Sequence, residues 1–159
     1  MNDSLYNTKS ELGLRSLFIL KELHPKFCDI DRLLYLDYLC LYVEEIKKDA
    51  TNLHPKYPFQ SIEIFEKRET LKKAIFELAL KGLVDVETNE GLAFGCNGNT
   101  LWLLDSVENI YSEHLSRNIK LIINETKTKT DKELKDIIFS RKSDINNEFD
   151  SFYPYFEED

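Results

Sequence analysis

The stretch GLVDVETNEGLAF, residues 82–94, constrains this chain more than any other. Two short runs of strand-forming residues, 83–86 and 92–94, flank the polar turn Thr88-Asn89-Glu90-Gly91, which is the pattern of a β-hairpin. A hairpin this small cannot stand alone in water, so its apolar side needs a helical layer to pack on.

The segments before it supply that layer. Thr8-Lys9-Ser10-Glu11 has the layout of a capping box and predicts a helix to about residue 23, where Pro25 disfavours helix in the residue before it. Glu11, Arg15, Phe18 and Glu22 share one side of that helix, and leucines and an isoleucine cover most of the rest. Asp29 is placed to cap a second helix over 30–46, apolar nearly all round through LLYLDYLCLYV. A loop with Pro55 and Pro58 leads to a third helix over 61–81, with Leu71, Ala74, Ile75 and Leu78 along one stripe. Gly82 follows where a left-handed C-terminal cap is expected. Three helices and then a hairpin is the order of a winged-helix domain. The hairpin is followed by one amphipathic helix over 101–123, its stripe running Leu103, Leu104, Val107, Ile110, Tyr111, Leu115 and Ile122. The fold class expected is mainly α: a winged-helix-like domain with its C-terminal helix at 8–123, then an extension at 124–159. That extension carries ten acidic and six basic residues and ends in FDSFYPYFEED. It lacks the apolar content for a core of its own and reads as partly helical or disordered, a docking tail.

Charge and residue chemistry narrow the function. A net charge of −8 argues against a strong nonspecific grip on nucleic acid or an anionic membrane surface. There is no apolar run long enough to span a bilayer and no signal-like N-terminus, so a cytoplasmic protein is expected. Cys28, Cys40 and Cys96 are widely spaced and lack a CxxC knuckle, as reduced thiols would be. With His24 and His54 they are zinc-ligand types, but the one close pair, His24 and Cys28, is interrupted by a proline; no metal or cofactor is expected. His114, on an apolar stripe, reads as a hydrogen-bonded core histidine. No glycine-rich phosphate loop and no nucleophile at a recognisable spacing are present, so no enzyme is expected.

A DNA reader would place basic residues on the third helix and the wing. Lys67, Arg68, Lys72, Lys73 and Lys81 are opposed there by four glutamates, and the wing carries Asp85, Glu87 and Glu90 with no basic residue. The hairpin therefore reads as a surface that meets protein or solvent, with Lys67, Lys72, Lys73 and Lys81 the contacts of the alternative, a DNA-binding regulator. Asp37 sits in an otherwise apolar helix and needs a partner: either Arg68, or backbone N–H groups of the following loop. Trp102 falls on the polar side of its helix, either against the extension or as an anchor for another protein. LHPK occurs twice, at 23–26 and 53–56, without further periodicity; both copies read as helix punctuation, with His54 anchoring its loop.

The run GLRSLFILKELHP, then DIDRLLYLDYLCLYVEE, then LHPKYPFQSIEIFEKRETLKKAIFELALKGLVDV, GLAF and LWLLDSVENIYSEHLSRNIKLI resembles the middle-component proteins of bacterial ABC-three-component systems, of which the Lamassu type is an example. The resemblance covers residues 8–123, through Leu36-Asp37-Tyr38, Leu53-His54-Pro55, Lys67-Arg68-Glu69 and Lys81-Gly82-Leu83-Val84. It implies a non-enzymatic subunit of an anti-phage or anti-plasmid defence complex, mediating assembly or gating beside an SMC-like ATPase and an effector, often a nuclease; the charge count adds that DNA contact is at most weak or indirect. The residues themselves, not the resemblance, give the expected partner interface: Trp102, Asp85, Glu87 and Glu90, with Phe152, Tyr153, Tyr155 and Phe156 of the tail, which lies outside the resemblance.

Overall fold

A computed structural model describes residues 8–107 and 109–140. The described residues are mainly helical with one two-stranded sheet. Helix α1 (Lys9–Leu23) starts where the capping pattern predicts, with the Thr8 side chain accepting from the Glu11 amide. Helix α2 (Ile30–Leu41) is capped by Asp29, which accepts from the Arg32 amide. It ends five residues short of the expected 46. The following loop turns back on it: the Leu53 amide donates to the Leu41 carbonyl at 2.9 Å, and the Asn52 side chain takes the Glu44 amide. Bonds from outside thus claim groups that a longer helix would have used.

Helix α3 (Glu63–Leu80) follows a short 3₁₀ turn, Gln60–Ile62. Gly82, at φ 73°, closes it, and the chain reverses there with Leu83 donating to the Leu78 carbonyl. Strands β1 (Asp85–Glu87) and β2 (Ala93–Gly95) pair antiparallel, with Val86 opposite Phe94. Cys28 joins the same ladder as an isolated bridge to Phe94, so the α1–α2 connection is sewn to the hairpin by a reciprocal pair of 2.9 Å bonds.

The single helix expected over 101–123 is two: α4 (Gly98–Asp105) and α5 (Ile110–Thr126). Each has its own reciprocal capping box, Asn97 with Thr100 and Asn109 with Ser112, and the second takes up amides that the break leaves without helical partners. The break divides the expected stripe: Leu104 and Leu115 are buried, whereas Ile110 is 85% exposed.

The boundary expected after Ile123 falls inside α5, and α6 (Asp131–Phe139) follows it. Helix α6 packs on α2 and places Leu134 and Ile138 in the core. Arg32 holds the turn between α5 and α6: it donates to the Thr126 and Lys129 carbonyls and reaches Asp131 at 3.0 Å. The core lies between α1, α2, α3 and α5, with Leu12, Leu20, Leu33, Leu39, Leu71, Ile75, Ile119 and Ile122 at its centre.

Candidate functional site

Two regions carry the polar and exposed chemistry: an ionic network inside the helical layer, and a surface made by the hairpin and α4.

The network begins with Asp37, fully buried on α2. Its partner is Arg15 of α1, and the expected pairing with Arg68 does not form. Arg15 Nε meets Asp37 Oδ1 at 2.7 Å and Nη2 meets Oδ2 at 3.1 Å, a two-point fork. Arg15 shares its side of α1 with Glu11, Phe18 and Glu22, and that side turns it inward, 1% exposed. Arg68 instead lies on the surface, 3.0 Å from Asp31.

Of the two cations flanking the α3 stripe, Lys67 is the one that turns inward. Its Nζ is 2.8 Å from Glu63 Oε2 and 3.7 Å from Asp37 Oδ2. Buried Lys67 is therefore not a surface DNA contact, since its charge is spent on two interior carboxylates. Glu63 Oε1 accepts from Tyr42 at 2.8 Å and also from Tyr57. A second carboxylate, Glu45, accepts from Tyr38 at 2.9 Å and from Gln60 at 2.8 Å.

The electrostatics follow from this packing. Burial opposes ionisation of Asp37, and Arg15 and Lys67 overcome it, holding the carboxyl below its ordinary range. Burial also pushes Tyr42 and Tyr38 up, helped by Glu63 and Glu45 respectively, so both stay protonated donors. His54, buried in its loop, has its Nε2 3.4 Å from the Tyr111 hydroxyl. Burial, then the charges of Arg15 and Lys67, lower its pKa to about 4, so the ring is neutral at pH 7. Its backbone N–H also reaches the Leu41 carbonyl, at 3.3 Å. His114, half-buried, has its Nε2 3.1 Å from the Thr51 carbonyl. Asn118 ties the same loop to the core, donating to the Cys40 and Thr51 carbonyls.

Chemically, the interior network ties α1, α2, α3 and the loop before α3 to one another. Its acids, bases and phenols are committed to one another across α1, α2, α3 and the 47–60 loop. Burial pushes the Cys28 and Cys40 thiols up, away from the reactive thiolate. Among the described residues, no three His, Cys, Asp or Glu side chains gather as a metal-binding group.

The outer surface is different. Asp85, Glu87 and Glu90 are all exposed along the hairpin, and Trp102 on α4 is 75% exposed with Leu101 beside it in sequence at 42%. The α4 N-terminus is clamped to the hairpin: Asn97 donates to Asp85 and to the Gly82 carbonyl, and Thr100 donates to the Leu83 carbonyl. Hairpin and Trp102 are thus parts of one rigid unit. Among the lysines singled out for DNA, Lys73 and Lys81 are exposed, and Lys72 lies over the Phe76 ring at 5.8 Å. Phe152, Tyr153, Tyr155 and Phe156 lie outside the described residues.

The residues missed in the sequence were Arg15, Glu63 and Tyr42. The available signal was Arg15 itself, a lone cation in GLRSLFIL one helix before a lone acid in LLYLDYL.

These features define a small helical protein with a buried ionic network between its helices and an exposed surface that carries Asp85, Glu87, Glu90 and Trp102. The family profile of the ABC-three component (ABC-3C) system Middle Component 2 matches residues 5–148, and the chain belongs to that family. The match runs past Ile123 and takes in α6, further than the stretch that first suggested the resemblance. No curated protein and no solved structure matches the chain. Among the described residues, no helix is long and apolar enough to cross a membrane.

Proposed function

We propose that this chain is a non-enzymatic accessory subunit of a bacterial defence complex, assembling with an SMC-like ATPase and an effector nuclease and coupling the two. The observation that carries the reading is the match to a three-component-system middle component over residues 5–148, since such a component has partners in its own system. The interior charges, paired with one another across the helices, fit a scaffold. The exposed Trp102 and the carboxylates Asp85, Glu87 and Glu90 fit a surface that meets protein, where tryptophan is enriched at energetic centres. Three helices followed by the hairpin are read as winged-helix-like, with the wing turned to protein. The free thiols Cys28, Cys40 and Cys96 suit a cytoplasmic setting. The opposing reading, a DNA-binding regulator, loses Lys67 to the interior and faces a wing whose charge repels phosphate.

The test is co-expression of the full chain with the two components encoded beside it, followed by size exclusion with mass determination. A complex that survives purification, and that Trp102→Ala weakens while leaving the melting temperature unchanged, is expected. A chain that elutes alone, yet binds duplex DNA with a steep salt dependence, overturns the reading in favour of the regulator.

A further inference from the structure

Between the α1–α2 connection and the tip of the hairpin lies an open groove of about 540 Å³. Its apolar walls are Phe27, Leu92 and Ala93, and its rim carries Glu87, Glu90 and Lys26. We propose that this groove receives an arginine-bearing segment of the ATPase component, the guanidinium stacking on Phe27 while Glu87 and Glu90 accept its N–H groups. This rests on the reading of the chain as an assembly subunit and specifies which chemistry that assembly uses.

Three observations carry it. First, the groove is preformed. The Cys28–Phe94 bridge, with both bonds at 2.9 Å, fixes the 24–28 connection to β2, so a ligand meets its walls already in place and loses little to reorganisation. The Phe27 ring also sits directly on the hairpin backbone. A methyl group at Gly95 would lie 2.8 Å from the ring carbons, so only glycine lets the ring seat there.

Second, large apolar side chains remain uncovered at this seat. Phe27 is 38% and Leu92 42% exposed, both lining a concave setting where an aromatic face can take a cation.

Third, the charge selects the occupant. Asp29, which caps α2, adds a third carboxylate to the lining, against the single Lys26. The surplus is negative, and so is that of the whole chain, at −8. Nucleic acid and a second copy of this chain would both bring like charge, at a cost in a partly desolvated seat. Arginine is favoured over lysine because its planar fork can stack on Phe27 and meet two carboxylates at once.

The experiment uses the full chain and the ATPase component encoded beside it. Leu92 is replaced by a photoreactive benzoylphenylalanine, and the crosslinked partner peptide is sequenced by mass spectrometry. In parallel, the affinity of Glu87→Arg/Glu90→Arg is compared with wild type at 50 and 200 mM salt. The expected result is a crosslink to an arginine-containing peptide, with at least a tenfold loss of affinity for the double variant and a flatter salt dependence. Both glutamates are exposed, so circular dichroism is expected to show the variant folded as wild type. A crosslink to a peptide without arginine, a crosslink to a second copy of this chain, or unchanged affinity in the folded double variant overturns the groove proposal. If wild type does not bind the ATPase component at all, the assembly reading itself fails first.

Discussion

Replacing Asp37 by asparagine is the sharpest perturbation of this fold. The side chain keeps its size and loses its charge, while Arg15 and Lys67, 1% and 4% exposed, keep theirs. In the wild type the carboxylate meets Arg15 at 2.7 and 3.1 Å and Lys67 at 3.7 Å, so it balances two cations that have no route to water. Breaking a buried pair by removing one partner costs about 3–5 kcal/mol, because the charge left behind is desolvated and uncompensated. Glu63 still faces Lys67 at 2.8 Å, which places the expected loss toward the lower half of that range. For a chain of this length each kcal/mol moves the midpoint by about 2–4 °C, so Asp37→Asn should melt roughly 6–15 °C below wild type. Circular dichroism melts and urea titrations at pH 7 measure this. Arg15→Met/Asp37→Leu should cost less than the sum of its single substitutions, since the pair leaves together. A folded Asp37→Asn within about 1 °C of wild type would refute the claim that this network holds α1, α2 and α3 in register.

Arg68→Ala should cost under about 1 kcal/mol, because the Arg68–Asp31 pair is solvent-exposed; a loss as large as that of Asp37→Asn in the same melts would contradict the assignment. His54 has a folded pKa of about 4, below its ordinary 6.5, so the unfolded chain binds a proton that the native chain refuses. Its contribution is therefore full above pH 6.5 and falls as pH drops toward 4, and His54→Gln should flatten the denaturation midpoint across that window. Asn118→Ala removes the side-chain donor to the Cys40 carbonyl, while Thr51 keeps its contact with His114, and should cost about 1–3 kcal/mol by urea denaturation. Cys28 and Cys40, buried and pushed upward, should react with a thiol reagent in urea and stay silent in native buffer on the minutes scale.

Local chemistry carried much of the architecture. Thr8, Asp29 and Gly82 mark helix ends because a cap acts within one turn of the residue that makes it. The hairpin was legible for the same reason, although its strands sit one to two residues later than the apolar pattern placed them. The break between α4 and α5 was also encoded, in Asn109 and Ser112, but a stripe that ran on across it concealed the cap. Helix α6 shows the converse. Leu134 and Ile138 make a weak pattern alone, and their burial needs the α2 surface and the Arg32 clamp, both about a hundred residues away in sequence.

The partner of Asp37 divides the two kinds of information most clearly. That a buried carboxylate in LLYLDYL requires a cation follows from the sequence and the cost of desolvation alone. Which cation answers it depends on the angles at which three helices meet. Arg15 and Lys67 point into that junction and Arg68, one position along from Lys67, points out of it, because successive helical residues diverge by about a hundred degrees. The sequence by itself determined the helical class, the caps, the acidic hairpin and the need for buried charge balance, all of them set by interactions within a few residues. Only the tertiary structure decided the partners in that balance, the exposure of Trp102 and the groove beside Phe27, because each arises where segments distant along the chain are brought together.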